Sequence, residues 1–160
     1  MPRLPFSILI AFLAFLLGAC GLTERERAVA RVNEGIRAVE TQSRQVVDAI
    51  AALPAGEVAA DDFRGVRDAL HGYMAQMEDL NASIRTLEDH FTTLQPAIRE
   101  QFRPSAEAAA VSCQHAIDAL ASPSSSQDDY RTAVTRIGQC IERYATAVTN
   151  LSAAYDRLSP

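Results

Sequence analysis

Residues 63–94, FRGVRDALHGYMAQMEDLNASIRTLEDHFTTL, place Phe63, Val66, Leu70, Tyr73, Met77, Leu80, Ile84, Leu87, Phe91 and Leu94 at alternating steps of three and four. That spacing is the repeat of an α-helix that buries one face along its whole length. It predicts a single long helix of about nine turns. Pro96 removes an amide donor and its ring clashes with the preceding turn, so the helix ends there. Ile98 nevertheless continues the stripe, which leaves a second helix kinked at Pro96 as an open alternative.

The same pattern extends in both directions. Upstream, Val29, Val32, Ile36, Val39, Ser43, Val46, Ile50 and Leu53 form a stripe with one polar member. Pro54 and Gly56 stop that first helix, and Asp61 or Asp62 is placed to cap the next. Downstream, Ala106, Ala110, Cys113, Ile117 and Leu120 face inward on a third helix ending at Ala121. Its start lies either just after Pro96 or at Pro104; the earlier one gives four helices of roughly 31, 34, 26 and 32 residues, the near-matched lengths a bundle needs. Residues 122–126 form a Ser-rich turn, in which Ser126 and Asp129 make an acidic capping box. A fourth helix then carries Tyr130, Val134, Ile137, Ile141, Tyr144, Val148, Leu151, Tyr155 and Leu158.

No strand-like alternation competes with the helical reading, and no repeat has the period of a solenoid. Short connections between helices of similar length make neighbours antiparallel. The expected fold is therefore all-α, an antiparallel up-down-up-down four-helix bundle. Stripes of this period serve an intermolecular coiled coil equally well. Ala28, Gly35 and Ala49, Gly65, Ala69 and Gly72, and Ala133, Cys140, Ala147 and Ala154 flank the seams, where small side chains allow close approach.

The first residues read differently. Met1, Pro2 and Arg3 give a minimal positive start, and residues 4–17 are an apolar run broken by Pro5 and Ser7. A spanning helix needs about 20 apolar residues, so this run has the length of a signal-peptide core instead. It closes on Leu17, Gly18, Ala19 and Cys20, which resembles the lipobox of bacterial lipoproteins: a long apolar residue, two small ones and the Cys after the cut. The resemblance covers the first 21 residues. It implies cleavage before Cys20, diacylation of the Cys20 thiol and acylation of the new amine. Three chains exceed the two signals that stable anchoring requires. In Gram-negative lipoproteins of this kind an Asp after the lipidated Cys favours the inner membrane; Gly21 stands here, which implies the outer membrane, on its periplasmic side.

The expected organisation is thus a signal peptide over 1–19, a lipid anchor and short linker over 20–22, and a helical bundle over 23–160. Gly21 and Leu22 alone separate Cys20 from the polar start of the first helix, about 10 Å of extended chain, so the bundle is expected against the bilayer. The Pro54 end and the Ser-rich turn would be distal, and the turn joining the second and third helices and Pro160 proximal.

Composition bounds the chemistry. The 160 residues amount to about one domain. The formal charge is −5 and every one of the 15 basic residues is Arg, which disfavours nucleic-acid binding. Of three cysteines, Cys20 is assigned to the lipid. Cys113 and Cys140 stand about three turns before and four turns after the Ser-rich turn, so a structural disulfide is expected in an oxidising compartment. No Cys-x-x-Cys spacing suggests a redox pair.

His71, Met74 and Met77 share a sector that haem or copper could use, but Met is far more often core filler, and neither His-x-x-x-His nor Glu-x-x-His occurs. No metal or cofactor is expected. His90 and His115 lie beside polar residues and read as solvated. Arg27, Arg31, Glu34, Arg37, Glu40, Arg44 and Asp48 form a ladder on the first helix whose members can pair with one another. Asn81 and Asn150 begin Asn-x-Ser triplets to which a bacterial envelope gives no role. There is no nucleophile elbow or phosphate loop, so catalysis is not expected. The sequence suggests a lipid-anchored periplasmic bundle with a protein partner, acting as a binding, scaffold or envelope-assembly accessory. An immunity or exclusion lipoprotein that occupies an incoming toxin or conjugation machine is the alternative, and a haem or metal sensor bundle a weaker one.

Overall fold

The computed structural model describes residues 23–122 and 125–158. The signal segment with residues 17–20, Gly21, Leu22, Pro123, Ser124, Ser159 and Pro160 lie outside the described residues. The described residues form four α-helices: α1 (Glu24–Ala51), α2 (Arg64–His90), α3 (Arg103–Ala121) and α4 (Gln127–Asp156). A 3₁₀ turn (Thr92–Leu94) follows α2, and a π-helical turn (Ala97–Phe102) leads directly into α3. Among the described residues there is no strand, and no helix is long and apolar enough to cross a membrane.

Capping residues fix two helix starts. Thr23 takes the Glu26 amide on its hydroxyl while the Glu26 carboxylate accepts from the Thr23 amide at 2.7 Å. Ser126 and Asp129 repeat this reciprocal box at α4. Each box satisfies amide donors that the first turn would otherwise leave without partners. Helix α2 starts without one. Asp61 pairs with Arg64, and Asp62 accepts from the Ala59 amide, so both are used inside the turn that precedes α2 rather than as its cap.

The stripe of α2 holds to its end. Val66, Leu70, Tyr73, Met77, Leu80, Ile84 and Leu87 are buried, as are Val32, Ile36, Val39, Ser43 and Val46 on α1. Each such aliphatic or aromatic side chain contributes about 1.5–3 kcal/mol when fully removed from water. Helix α2 stops at His90, one and a half turns short of Pro96. Phe91 leaves helical geometry, and the chain turns through the 3₁₀ segment while Leu94 stays buried. Pro96 therefore sits at the entrance of the following helical run and does not kink α2.

That run begins at Gln95 and not at Pro104. Pro104 leaves its mark differently. It has no N–H to offer the carbonyl four residues back, and its ring presses on that carbonyl. The wider turn over Ala97–Phe102, where the Arg103 amide bonds to the Ile98 carbonyl five residues back, relieves the contact. Beyond it the inward positions of α3 are Ala106, Ala109, Cys113, Ala116, Ile117 and Leu120, with Ala110 half-buried at the edge.

Helix α1 packs along its length on α2, and α3 on α4, whereas α1 touches α4 at few points. Close approach in the first pair uses glycine. A Cβ on Gly35 would lie 3.0 Å from Leu80 Cδ1, and one on Gly72 3.0 Å from the Gln42 side chain. The second pair is joined covalently: Cys113 and Cys140 form a disulfide with Cα atoms 5.7 Å apart, both side chains fully buried. Polar ties run between the pairs. Arg67 donates to the Leu120 carbonyl at the end of α3, the Gln127 side chain both donates to and accepts from the Val58 backbone, and Phe63 stacks on Tyr130 at 4.9 Å. At the opposite ends Arg25 donates to the His90 carbonyl, lies over the Phe91 ring at 5.0 Å, and Phe91 meets Tyr155 edge-on. Leu158, expected on the α4 stripe, lies past the end of the helix at Asp156 and is 48% exposed.

The disulfide closes a loop of 27 residues in sequence separation. In the chain-entropy model this contributes about 3.5 kcal/mol through the unfolded state. Replacing Cys113 and Cys140 by Ala is expected to lower the thermal midpoint by on the order of 10 °C, with helical circular dichroism retained below the transition.

Candidate functional site

Glu88 ends the buried part of α2 and is the one carboxylate taken into the described core, at 4% exposure. Burying a carboxylate is costly unless it is paired and hydrogen-bonded. Two guanidiniums meet it. Arg99 donates through Nε to one carboxylate oxygen and Arg103 through Nη2 to the other. Arg99 comes from within the π-helical turn and Arg103 from the residue directly after it, and their side chains remain 58% and 42% exposed. Glu88 thus ties the end of α2 to the start of α3 and fixes where Arg103 can point.

Beside this tie a cleft of about 280 Å³ opens between α2 and α3. Asn81, Ile84 and Arg85 form its α2 wall, and Ile98, Phe102, Arg103, Ala106 and Glu107 the other. Ala106 leaves the room that a larger core residue would fill. Arg85 and Glu107 make no ion pair or hydrogen bond with any described residue, so their charges face the cleft and solvent. At the inner end the Tyr144 hydroxyl of α4 lies 2.9 Å from Asn81 Oδ1 and 3.1 Å from the Met77 carbonyl oxygen, a shared donor that holds the Asn81 amide in place.

Two smaller clefts, about 40 and 20 Å³, follow each other along the α1–α4 seam and share Ile36 and Val148. They are lined mainly by aliphatic side chains, with Tyr73, Ser43 and Thr149 in the first. Tyr73, Phe102 and Tyr144 pack edge to face across the middle of the core. Burial raises the ionisation of the Tyr73 phenol well above its ordinary value of 10. Burial, and then the proximity of Tyr73, do the same to Tyr144.

The residues singled out in the sequence are distributed otherwise. Cys20 lies outside the described residues. His71 is exposed while Met77 is in the core and Met74 between, so the three do not converge. The α1 charge ladder forms no ion pair: Arg64–Asp61, Arg131–Asp128 and the two arginines on Glu88 are the pairs among the described residues. Arg27, Arg31, Arg37 and Arg44 stand exposed along α1. Asn81, read as an idle triplet, is held by Tyr144, and neither Glu88 nor Arg103 carried a signal beyond the position of Glu88 next to Leu87 on the α2 stripe. Comparison with protein-family models, with curated proteins and with solved structures finds no match for the chain.

Because the folded pKa of Tyr73 and Tyr144 is raised, their contribution to stability is complete below pH 10 and is lost as the pH climbs above that value. An alkaline titration is expected to show the tyrosinate absorbance of these two residues appearing together with the loss of helical circular dichroism. In Tyr73→Phe and Tyr144→Phe the corresponding amplitude should vanish.

Proposed function

We propose that the protein is a lipid-anchored helical bundle of a bacterial envelope, on the periplasmic side of the outer membrane, acting by binding and not by catalysis, as a scaffold or assembly accessory. The observation that carries this reading is residues 17–20, Leu-Gly-Ala-Cys, which close the apolar run of residues 4–17. Cys20 would carry the lipid, and Gly21 in place of Asp favours the outer membrane. The binding role draws support from an open cleft flanked by the charges of Arg85 and Glu107.

Within this proposal the helices run up-down-up-down. Arg25 at the start of α1 reaches His90 at the end of α2, Arg67 near the start of α2 reaches Leu120 at the end of α3, and Phe91 beside the end of α2 meets Tyr155 at the end of α4. The first two contacts are what reversed neighbours would make, and the third is what α2 and α4, running the same way in that order, would make. With Cys20 a few residues ahead of Thr23, the α2–α3 connection and the end of α4 would then lie on the membrane side.

Cys20→Ser removes the nucleophile on which the whole modification depends. The variant is expected to lose incorporation of labelled fatty acid and to pass from the membrane fraction to the soluble periplasmic fraction. Unchanged labelling would contradict the anchor.

A further inference from the structure

We propose that the α2–α3 cleft is a binding site for a monocarboxylate on an apolar body. This names the ligand class for the binding role proposed above, and it does not depend on the lipid anchor. The walls offer two kinds of surface. Ile84, Ile98, Phe102 and Ala106 form an apolar floor, and Arg85 and Arg103 bring guanidiniums from opposite sides of about 280 Å³. Ligand pockets typically combine an apolar lining with few convergent polar groups in this way.

The charges select the sign and size of the head group. Around the cleft three guanidiniums, Arg85, Arg99 and Arg103, face two carboxylates, Glu88 and Glu107, leaving one net positive charge in a chain whose total is −5. Glu88 is buried and takes one donor each from Arg99 and Arg103, so Arg103 is held in place with most of its five N–H donors uncommitted to Glu88. Arg85 has no partner of its own among the described residues. A single carboxylate can accept from both, and planar guanidiniums suit carboxylate geometry. A dianion would leave charge unbalanced and face Glu107; a neutral head group would leave Arg85 unused. One feature marks the place as built: the buried Glu88 carboxylate, held by Arg99 and Arg103, that positions Arg103 beside the cleft.

The test is a titration of the purified, isotopically labelled full chain with octanoate and N-acetylleucine, followed by nuclear magnetic resonance of arginine Nε and of the Ile84 and Ala106 methyl groups. Octanol and octylamine serve as head-group controls. Saturable shifts at Arg85, Arg103, Ile84 and Ala106 with the carboxylates, and none with octanol or octylamine, are expected. Preference for octanoate would point to a free acid as the source of the carboxylate, and preference for N-acetylleucine to a peptide carboxyl terminus. Arg85→Ala, an exposed change that leaves the core intact, should weaken binding about tenfold, the loss of one charge-assisted contact. Glu107→Gln should tighten it, and Ala106→Trp should block it. Absence of shifts, equal binding of octanol, or Arg85→Ala binding unchanged would each overturn the site. None of these readouts involves acylation of Cys20, so failure here is distinguishable from failure of the anchor.

Discussion

Each helix of this chain carries one apolar stripe, and that stripe has to be covered. Paired packing of α1 on α2 and of α3 on α4 leaves apolar side chains on both pairs facing the same interior, so the two pairs complete a single core together. Tyr73 from α2, Phe102 from the π-helical turn and Tyr144 from α4 meet there with ring centroids 6.0–6.4 Å apart in edge-on arrangements. Edge-to-face contacts of this kind add to the area they bury. The Tyr144 hydroxyl needs an acceptor at that depth and finds it on α2, in the Met77 carbonyl and Asn81. Hydrophobic burial thus brings the pairs together, and a few directional bonds set how they meet.

Closure of the core is uneven. Between α1 and α4 the contact is sparse and leaves two narrow apolar clefts; between α2 and α3 the wider cleft is bounded by the buried Glu88 and its two arginines. The second arrangement follows from the connection. Helix α2 stops at His90, the chain re-enters helical geometry at Gln95, and the π-helical turn then adjusts the path ahead of Pro104. Arg99 and Arg103 reach back across that short connection to one carboxylate. The same few residues therefore fix the α2–α3 geometry and shape the cleft beside it.

The helices were legible in the sequence because periodic burial is a local, additive signal: Val66 to Leu87 repeats it turn after turn. Cys113 and Cys140 were legible as a pair for the same reason, since the helix rise places them at similar distances from the Ser-rich turn. The end of α2 was not, because Phe91 and Leu94 keep the three-four spacing while the backbone leaves the helix; both side chains still contribute to the core through a turn. Pro104 was legible only as an alternative start of the third helix, and the π-helical turn ahead of it carried no signal, because it depends on how the neighbouring residues pack. The Glu88 tie escaped because its partners lie 11 and 15 residues away, across a break in helical geometry that no fixed spacing reports. The α1 ladder shows the converse. Spacing permits its charges to pair, but exposed pairs gain little over solvation, and in the structure they stand apart.

The claim that no helix pair holds its structure alone is tested most directly by native-state hydrogen exchange under low denaturant. Amides of the buried segments around Val39 on α1, Leu80 on α2, Cys113 on α3 and Tyr144 on α4 are followed together. If the four stripes share one core, these amides exchange through one common opening with the same free energy and the same denaturant dependence. Exchange of the α1 and α2 amides through a smaller opening, while α3 and α4 stay protected, would contradict the account.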